Sequence, residues 1–225
     1  MFTTRTQIRE ALSRTGRCLA LADAGEYSLL VCGGSALCLS GLRERPTRDV
    51  DILGMVKGDA ATVLAEPLPD EVTRAAALVA RDLNLPENWL NDAALAVHRL
   101  GLPAGILSRA TKQVFGPCLT IYLIGRQDQV ALKLYAAIDG QKGKRHFEDL
   151  AAIEPTRKEM EFAVRWLLDR KTSLEFQSAI RRVADALDFP KLVAAPAEPS
   201  SPQTQRGRTP GSRPASLKVP KNCSR

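Results

Sequence analysis

The apolar run Tyr27-Ser28-Leu29-Leu30-Val31-Cys32 stops at Gly33-Gly34-Ser35, and after fourteen intervening residues beyond Gly34 the chain reads Asp49-Val50-Asp51-Ile52-Leu53. This pairing constrains the fold more than any other stretch. Six strand-forming residues bounded by Gly25 and Gly33 predict a buried strand. Two successive glycines allow positive φ and a close backbone approach. Ser35 is a suitable cap for a short apolar helix running to Leu42. Asp49 to Leu53 alternates acidic and aliphatic residues at period two, so its carboxylates share one side of a strand and its aliphatics the other. Carboxylates at i and i+2 lie roughly 7 Å apart along a strand. Their mutual repulsion is unfavourable unless a cation joins them.

Around this pair the pattern is mostly helical. Residues 5–22 have apolar positions Ile8, Leu12, Leu19 and Ala22 at helical spacing, with a weak middle at Gly16. Residues 70–83 repeat that spacing behind an acidic first turn. Residues 118–124 (Cys-Leu-Thr-Ile-Tyr-Leu-Ile) form a third strand. Residues 125–129 read as a turn, 130–139 as a helix carrying Lys133, and 140–144 as a flexible basic loop. His146 to Ile153, Arg157 to Arg170 and Leu174 to Leu187 continue as helices. The expected class is α/β (α+β): a small mixed sheet flanked by helices, with a helical C-terminal part. The boundaries expected are 1–135 for the sheet-bearing domain, 136–190 for the helical region and 191–225 for a disordered basic tail.

A chain of 225 residues has room for one good-sized domain or two small ones. Its formal charge of +7 invites a nucleic-acid reading, but the charge is unevenly placed. Lys191, Arg206, Arg208, Arg213, Lys218, Lys221 and Arg225 against Glu198 put +6 in the tail, leaving +1 for residues 1–190. The domain itself is therefore close to neutral. Five cysteines without a Cys-x-x-Cys pair, and only two histidines, argue against a zinc site and a disulfide framework. They suit a reducing compartment. No secretory pattern opens the chain, and no apolar stretch reaches the roughly 18 residues of a membrane span. The expectation is a cytoplasmic protein without a membrane partner.

Phosphoryl and nucleotidyl transfer need a metal to neutralise an anionic triphosphate. Mg²⁺ favours carboxylate oxygens and keeps several waters. Asp49 and Asp51 meet that need. Gly33 and Gly34, with the N–H groups of the helix after them and the Ser35 hydroxyl, would cradle phosphates. The order strand, glycine turn, short helix and acidic strand would set triphosphate and metal side by side.

Val31-Cys32-Gly33-Gly34-Ser35 followed by Asp49-Val50-Asp51-Ile52 resembles the signature of the polymerase-β-like nucleotidyltransferase superfamily. The spacing is one residue beyond that family's usual range, which a longer loop around Arg43 to Arg45 would absorb. A closer resemblance is to the bacterial DUF6036-type nucleotidyltransferases, related to AbiEii-like toxins of toxin–antitoxin systems. Three more stretches are similar to that group: Leu85-Pro86-Glu87-Asn88-Trp89-Leu90-Asn91-Asp92, Lys133-Leu134-x-Ala136, and Arg145-His146-Phe147-Glu148-Asp149-Leu150. The match covers roughly residues 8–170.

The resemblance implies a nucleotidyltransferase fold. It also implies a Mg²⁺-dependent transfer of a nucleoside monophosphate from a nucleoside triphosphate to an acceptor: tRNA, protein or a small molecule. The implied catalytic residues are Asp49, Asp51, Lys133 and Asp149, with metal on the two first aspartates. Nucleotide would meet Gly33, Gly34, Ser35, Arg48 and Lys133, and Asp149 would hold Lys133 or place a catalytic group. Implied partners are a nucleoside triphosphate, an acceptor, and a cognate antitoxin or toxin. Trp89 reads as a core anchor sooner than a base-stacking platform. Many members of the superfamily carry a third carboxylate on a later strand. Residues 118–124 have none, and Asp128 is the nearest candidate. Without a third acid the alternative is a catalytically degenerate module that binds nucleotide or protein.

Overall fold

The computed structural model describes residues 1–58, 62–138 and 143–193. Met1–Ala195 form one compact unit. The expected disordered tail lies, from residue 194, outside the described residues.

Helix α1 (Arg5–Leu21) opens on a capping box in which Thr4 accepts from the Gln7 N–H and the Gln7 side chain accepts from the Thr4 N–H. It runs unbroken through Gly16, the expected weak point. A Cβ at Gly16 would lie 1.7 Å from the Phe115 carbonyl oxygen. The glycine therefore lets the helix touch the loop beside the sheet. Strand β1 (Tyr27–Cys32) follows, then α2 (Gly33–Ser40) and β2 (Val50–Lys57). Next come β3 (Thr62–Leu64), α3 (Asp70–Asp82), β4 (Leu90–Asn91) and a 3-10 helix at Ala93–Arg99. The rest is β5 (Thr111–Val114), β6 (Leu119–Leu123), α4 (Arg126–Ile138), α5 (Gly143–Ile153), α6 (Arg157–Leu168) and α7 (Leu174–Asp185).

The sheet is mixed, in the order β3-β2-β1-β6-β5. β1 runs antiparallel to β2 and parallel to β6. β3 and β4 divide the outer edge of β2, β3 taking Met55 to Lys57 and β4 taking Val50 and Asp51. Period-two alternation sends the two sides of these strands into different cores. Leu29, Val31, Val50, Ile52, Leu119 and Ile121 pack with α1 and α3. Leu30, Cys32 and Leu53 pack with α4 to α7. Each fully buried aliphatic contributes about 1.5–3 kcal/mol. Trp89 anchors the first core: it is 0% exposed, donates its Nε1–H to the Ala76 carbonyl at 2.9 Å, and meets Phe2 edge-on.

Three sequence expectations are corrected here. Arg126 to Gln129 are the first turn of α4 and not a turn before it. Their polar character reflects the Arg126–Glu159 and Asp128–Arg109 ion pairs and the buried Gln129 amide. The short helix begins at Gly33, two residues before Ser35, and its N-cap Cys32 makes no side-chain cap bond. A Gly33 φ of +76° starts the helix directly off the strand. The boundary expected at residue 135 lies within α4. Residues 139–142 of the expected basic loop lie outside the described residues, and Gly143-Lys144 belong to α5.

Candidate functional site

Because Asp51 is one residue out of phase with Val50 and Ile52, its side chain leaves the first core and faces the α4–α5 side. Asp49 sits just before β2 and lines the same cleft as Asp51. β1 delivers Cys32 opposite Asp51 in register, and the chain turns at once into Gly33. The turn is shaped around the carboxylate: a Cβ at Gly33 would stand 2.2 Å from Asp51 Oδ2. Both the positive φ and this contact demand glycine. A Cβ at Gly34 would come within 3.0 Å of Thr47 Oγ1 and 3.1 Å of Arg45 Nη2, so Gly34 lets the arginine lie flat against the turn. Ser35 is the exception among the predicted cradle residues. It is fully buried, and its hydroxyl donates back to the Cys32 carbonyl at 3.5 Å.

Across the cleft, α4 presents Lys133 and α5 presents Asp149. The two meet at 2.8 Å, with Lys133 4% exposed and Asp149 0% exposed. Asp149 also receives Arg45 in a two-pronged contact, Nε to Oδ1 at 2.6 Å and Nη2 to Oδ2 at 2.7 Å, and a further bond from Arg43. Burial opposes its ionisation, but the Arg45 hydrogen bonds and the Lys133 charge outweigh that and hold its carboxyl below the ordinary range. One carboxylate thus gathers three cations. Asp149 is a positioning residue whose oxygens are already engaged. Sequence reading picked Lys133 and Asp149 but missed the two arginines. Their signal was the charged loop, one residue too long, that carries Arg43 and Arg45.

Asp51 behaves in the opposite way. Burial, then the neighbouring Asp49 carboxylate, push it up to about 6, against the pull of Lys133 and a hydrogen bond with Asn91. Asn91 reaches it because β4 pairs in parallel with β2, Asn91 beside Asp51. The sequence signal for Asn91 was the Trp-Leu-Asn stretch. A carboxylate that resists ionisation beside another acid is one a divalent cation would relieve. Among the described residues, no group of three or more His, Cys, Asp or Glu side chains assembles as a metal cage. The pair would leave most of the coordination sphere to water and phosphate, which suits Mg²⁺. Asp128 does not supply a third acid: it is buried and held by Arg109 at 2.9 and 2.6 Å. His146 lies with Nδ1 3.5 Å from Lys133 Nζ. Burial, then the lysine charge, lower its pKa, which suits a neutral ring.

The cleft has two chambers. The polar one, about 860 Å³, is lined by Gly33, Gly34, Asp49 and Asp51 and by the cations Arg45, Arg48, Lys133, Lys144 and Arg145. The other, about 520 Å³, shares Gly33, Asp51, Lys133 and His146 with it and is otherwise largely apolar. Its walls include the thiol of Cys32, which burial pushes far up and leaves unreactive. Such a cleft can hold a ligand that is polyanionic at one end and flat and apolar at the other, with a divalent ion between its charge and the two aspartates. No family model, curated protein or solved structure matches this chain.

Proposed function

We propose that the chain is a nucleotidyltransferase-fold protein whose cleft binds a nucleoside triphosphate with Mg²⁺ and transfers its nucleoside monophosphate to an acceptor. One observation carries the reading. The acidic pair Asp49–Asp51 and the cations Arg45 and Lys133, both held by Asp149, line one cleft beside a glycine turn that admits no side chain at Gly33. Opposed charge sets at this range suit a metal-bridged polyphosphate better than either charge alone. The strand–glycine turn–helix–acidic strand order supports the nucleotidyltransferase fold.

Mg²⁺ bound at Asp49 and Asp51 would supply charge neutralisation at the triphosphate. The chain's own residues do the rest. Gly33 and Gly34 let Asp51 and Arg45 close against the start of α2, so that metal ligand and cation would meet the phosphates side by side. Lys133 and Arg45, fixed by Asp149, offer preorganised positive charge where pyrophosphate leaves. Arg48, Lys144 and Arg145 raise the local concentration of anions at the mouth. The acceptor, whether tRNA, protein or small molecule, and a cognate antitoxin or toxin remain part of this proposal through the family resemblance.

A second reading has its own support. Asp92 and Glu148 also line the polar chamber, but among the described residues no third acid, His or Cys groups with Asp49 and Asp51 as a metal ligand, which favours a degenerate module that binds nucleotide without turnover. Incubating the protein with each α-labelled nucleoside triphosphate, Mg²⁺, total RNA and cell protein separates the two. Label transferred to RNA or protein, and abolished in Asp49→Ala/Asp51→Ala, supports the enzyme. Nucleotide binding without label supports the module.

A further inference from the structure

The apolar chamber holds one polar group that the fold leaves unexplained. Gln129, in the first turn of α4, is 0% exposed, and neither its Oε1 nor its Nε2 has a hydrogen-bond partner. Buried amides almost always find partners, because burying one without them is unfavourable. Gln129 lines the chamber together with Cys32, Ala94, Leu132, Tyr135 and Phe176. The chamber is continuous with the polar one through Gly33, Asp51 and Lys133. A ligand with its phosphates at those residues would therefore extend its other end toward Gln129.

We infer that this chamber receives the nucleobase, and that the Gln129 carboxamide hydrogen-bonds the base edge. The inference rests on the nucleotide reading of the cleft. A carboxamide sets an N–H donor beside a carbonyl acceptor. Every base offers the complementary pair: an amino group beside a ring nitrogen in adenine and cytosine, a carbonyl beside a ring N–H in guanine and uracil. No protein group ties down either end of the Gln129 amide. The base, and not the protein, sets which end faces which atom. The chamber therefore accepts amino and keto bases alike, with only a shallow preference among the four.

Calorimetric titration of the full chain with MgATP, MgCTP, MgGTP, MgUTP and magnesium tripolyphosphate tests this, alongside Gln129→Met. Methionine keeps the length of the side chain and removes the unsatisfied amide, so the ligand-free variant is expected to melt at or above the wild type. In wild type the four nucleotides are expected to bind at least about tenfold tighter than tripolyphosphate and within about tenfold of one another. Gln129→Met is expected to weaken all four by about tenfold and leave tripolyphosphate unchanged. Ala94→Phe, which fills the chamber from the 3-10 helix, is expected to do the same by exclusion. Equal wild-type affinity for nucleotides and tripolyphosphate, or unchanged nucleotide affinity in both variants, overturns the base pocket and leaves the triphosphate site standing. A spread well beyond tenfold among the bases overturns the free-amide argument. Failure of every probe to bind overturns the nucleotide reading, and the base pocket with it.

Discussion

Asp51→Asn should stabilise the metal-free protein, and the size of the effect follows from the site. Asp51 is raised from an ordinary 3.8 to about 6. Between those values the folded state holds a proton that the unfolded chain has released. Stability is therefore greatest below the ordinary value and falls as pH rises through about 6. The gap of about two pH units corresponds to about 3 kcal/mol of penalty by pH 8. Asparagine has no charge to desolvate and none to oppose Asp49, yet it can still accept from Asn91. In EDTA at pH 8 the variant should gain about 1–3 kcal/mol, a rise in melting temperature of roughly 3 to 10 °C for a chain of this size. At pH 4 the gain should largely vanish, because wild-type Asp51 is then protonated. Mg²⁺ should raise the wild-type melting temperature at pH 8 and leave the variant's nearly unmoved. Thermal melts at the two pH values, with and without Mg²⁺, measure all of this. A variant less stable at pH 8, or a gain of equal size at both pH values, would refute the claim that Asp51 is a strained carboxylate awaiting a cation.

Asp149→Asn should act with the opposite sign. It strips the shared counter-charge from Arg43, Arg45 and Lys133 and should destabilise the fold by about 3 kcal/mol, read by urea denaturation at pH 7.5. Because the Asp149 pKa is depressed, its contribution should be intact at neutral pH and be lost only as pH falls through the depressed folded value. Gly33→Ala should cost about 1–2 kcal/mol for the left-handed backbone and, by pushing on Asp51 Oδ2, should weaken Mg²⁺-dependent nucleotide binding at least tenfold in a titration. Gly16→Ala is the structural counterpart. Its Cβ would overlap the Phe115 carbonyl, so it should lower the melting temperature while the fraction still folded binds nucleotide with unaltered affinity.

The strands and helices with strong periodicity were legible, and so was the acidic pair. Tyr27 to Cys32 is a strand to the residue, because six strand formers between glycines leave the chain little else to do. The alternation separated Val50 and Ile52 from Asp51, but Leu53, expected with the other aliphatics, packs on the Asp51 side, and Asp49 lies just before the strand. The short partners β3, β4 and β5 were not legible. They are two to four residues long, and pairing with longer neighbours, not their own composition, makes them strands. Arg43 and Arg45 read as a solvated loop, since nothing local marks a residue that pairs with Asp149 more than a hundred positions away. Gln129 was read as part of a turn. Its significance lies in a missing partner, which only a structure reveals. Asp128 shows the converse: a plausible third acid by position, but one that is buried with both carboxylate oxygens held by Arg109.

The central claim is that Asp49, Asp51 and the opposed cations form one metal-dependent polyphosphate site. Calorimetric titration of MgATP into wild type, into wild type with EDTA, and into Asp49→Asn/Asp51→Asn tests it most directly. Wild type should bind saturably, with binding weakened at least about tenfold both by EDTA and by the double substitution, and the variant should still be folded by circular dichroism. Equal binding in all three samples, or none in wild type, would contradict it.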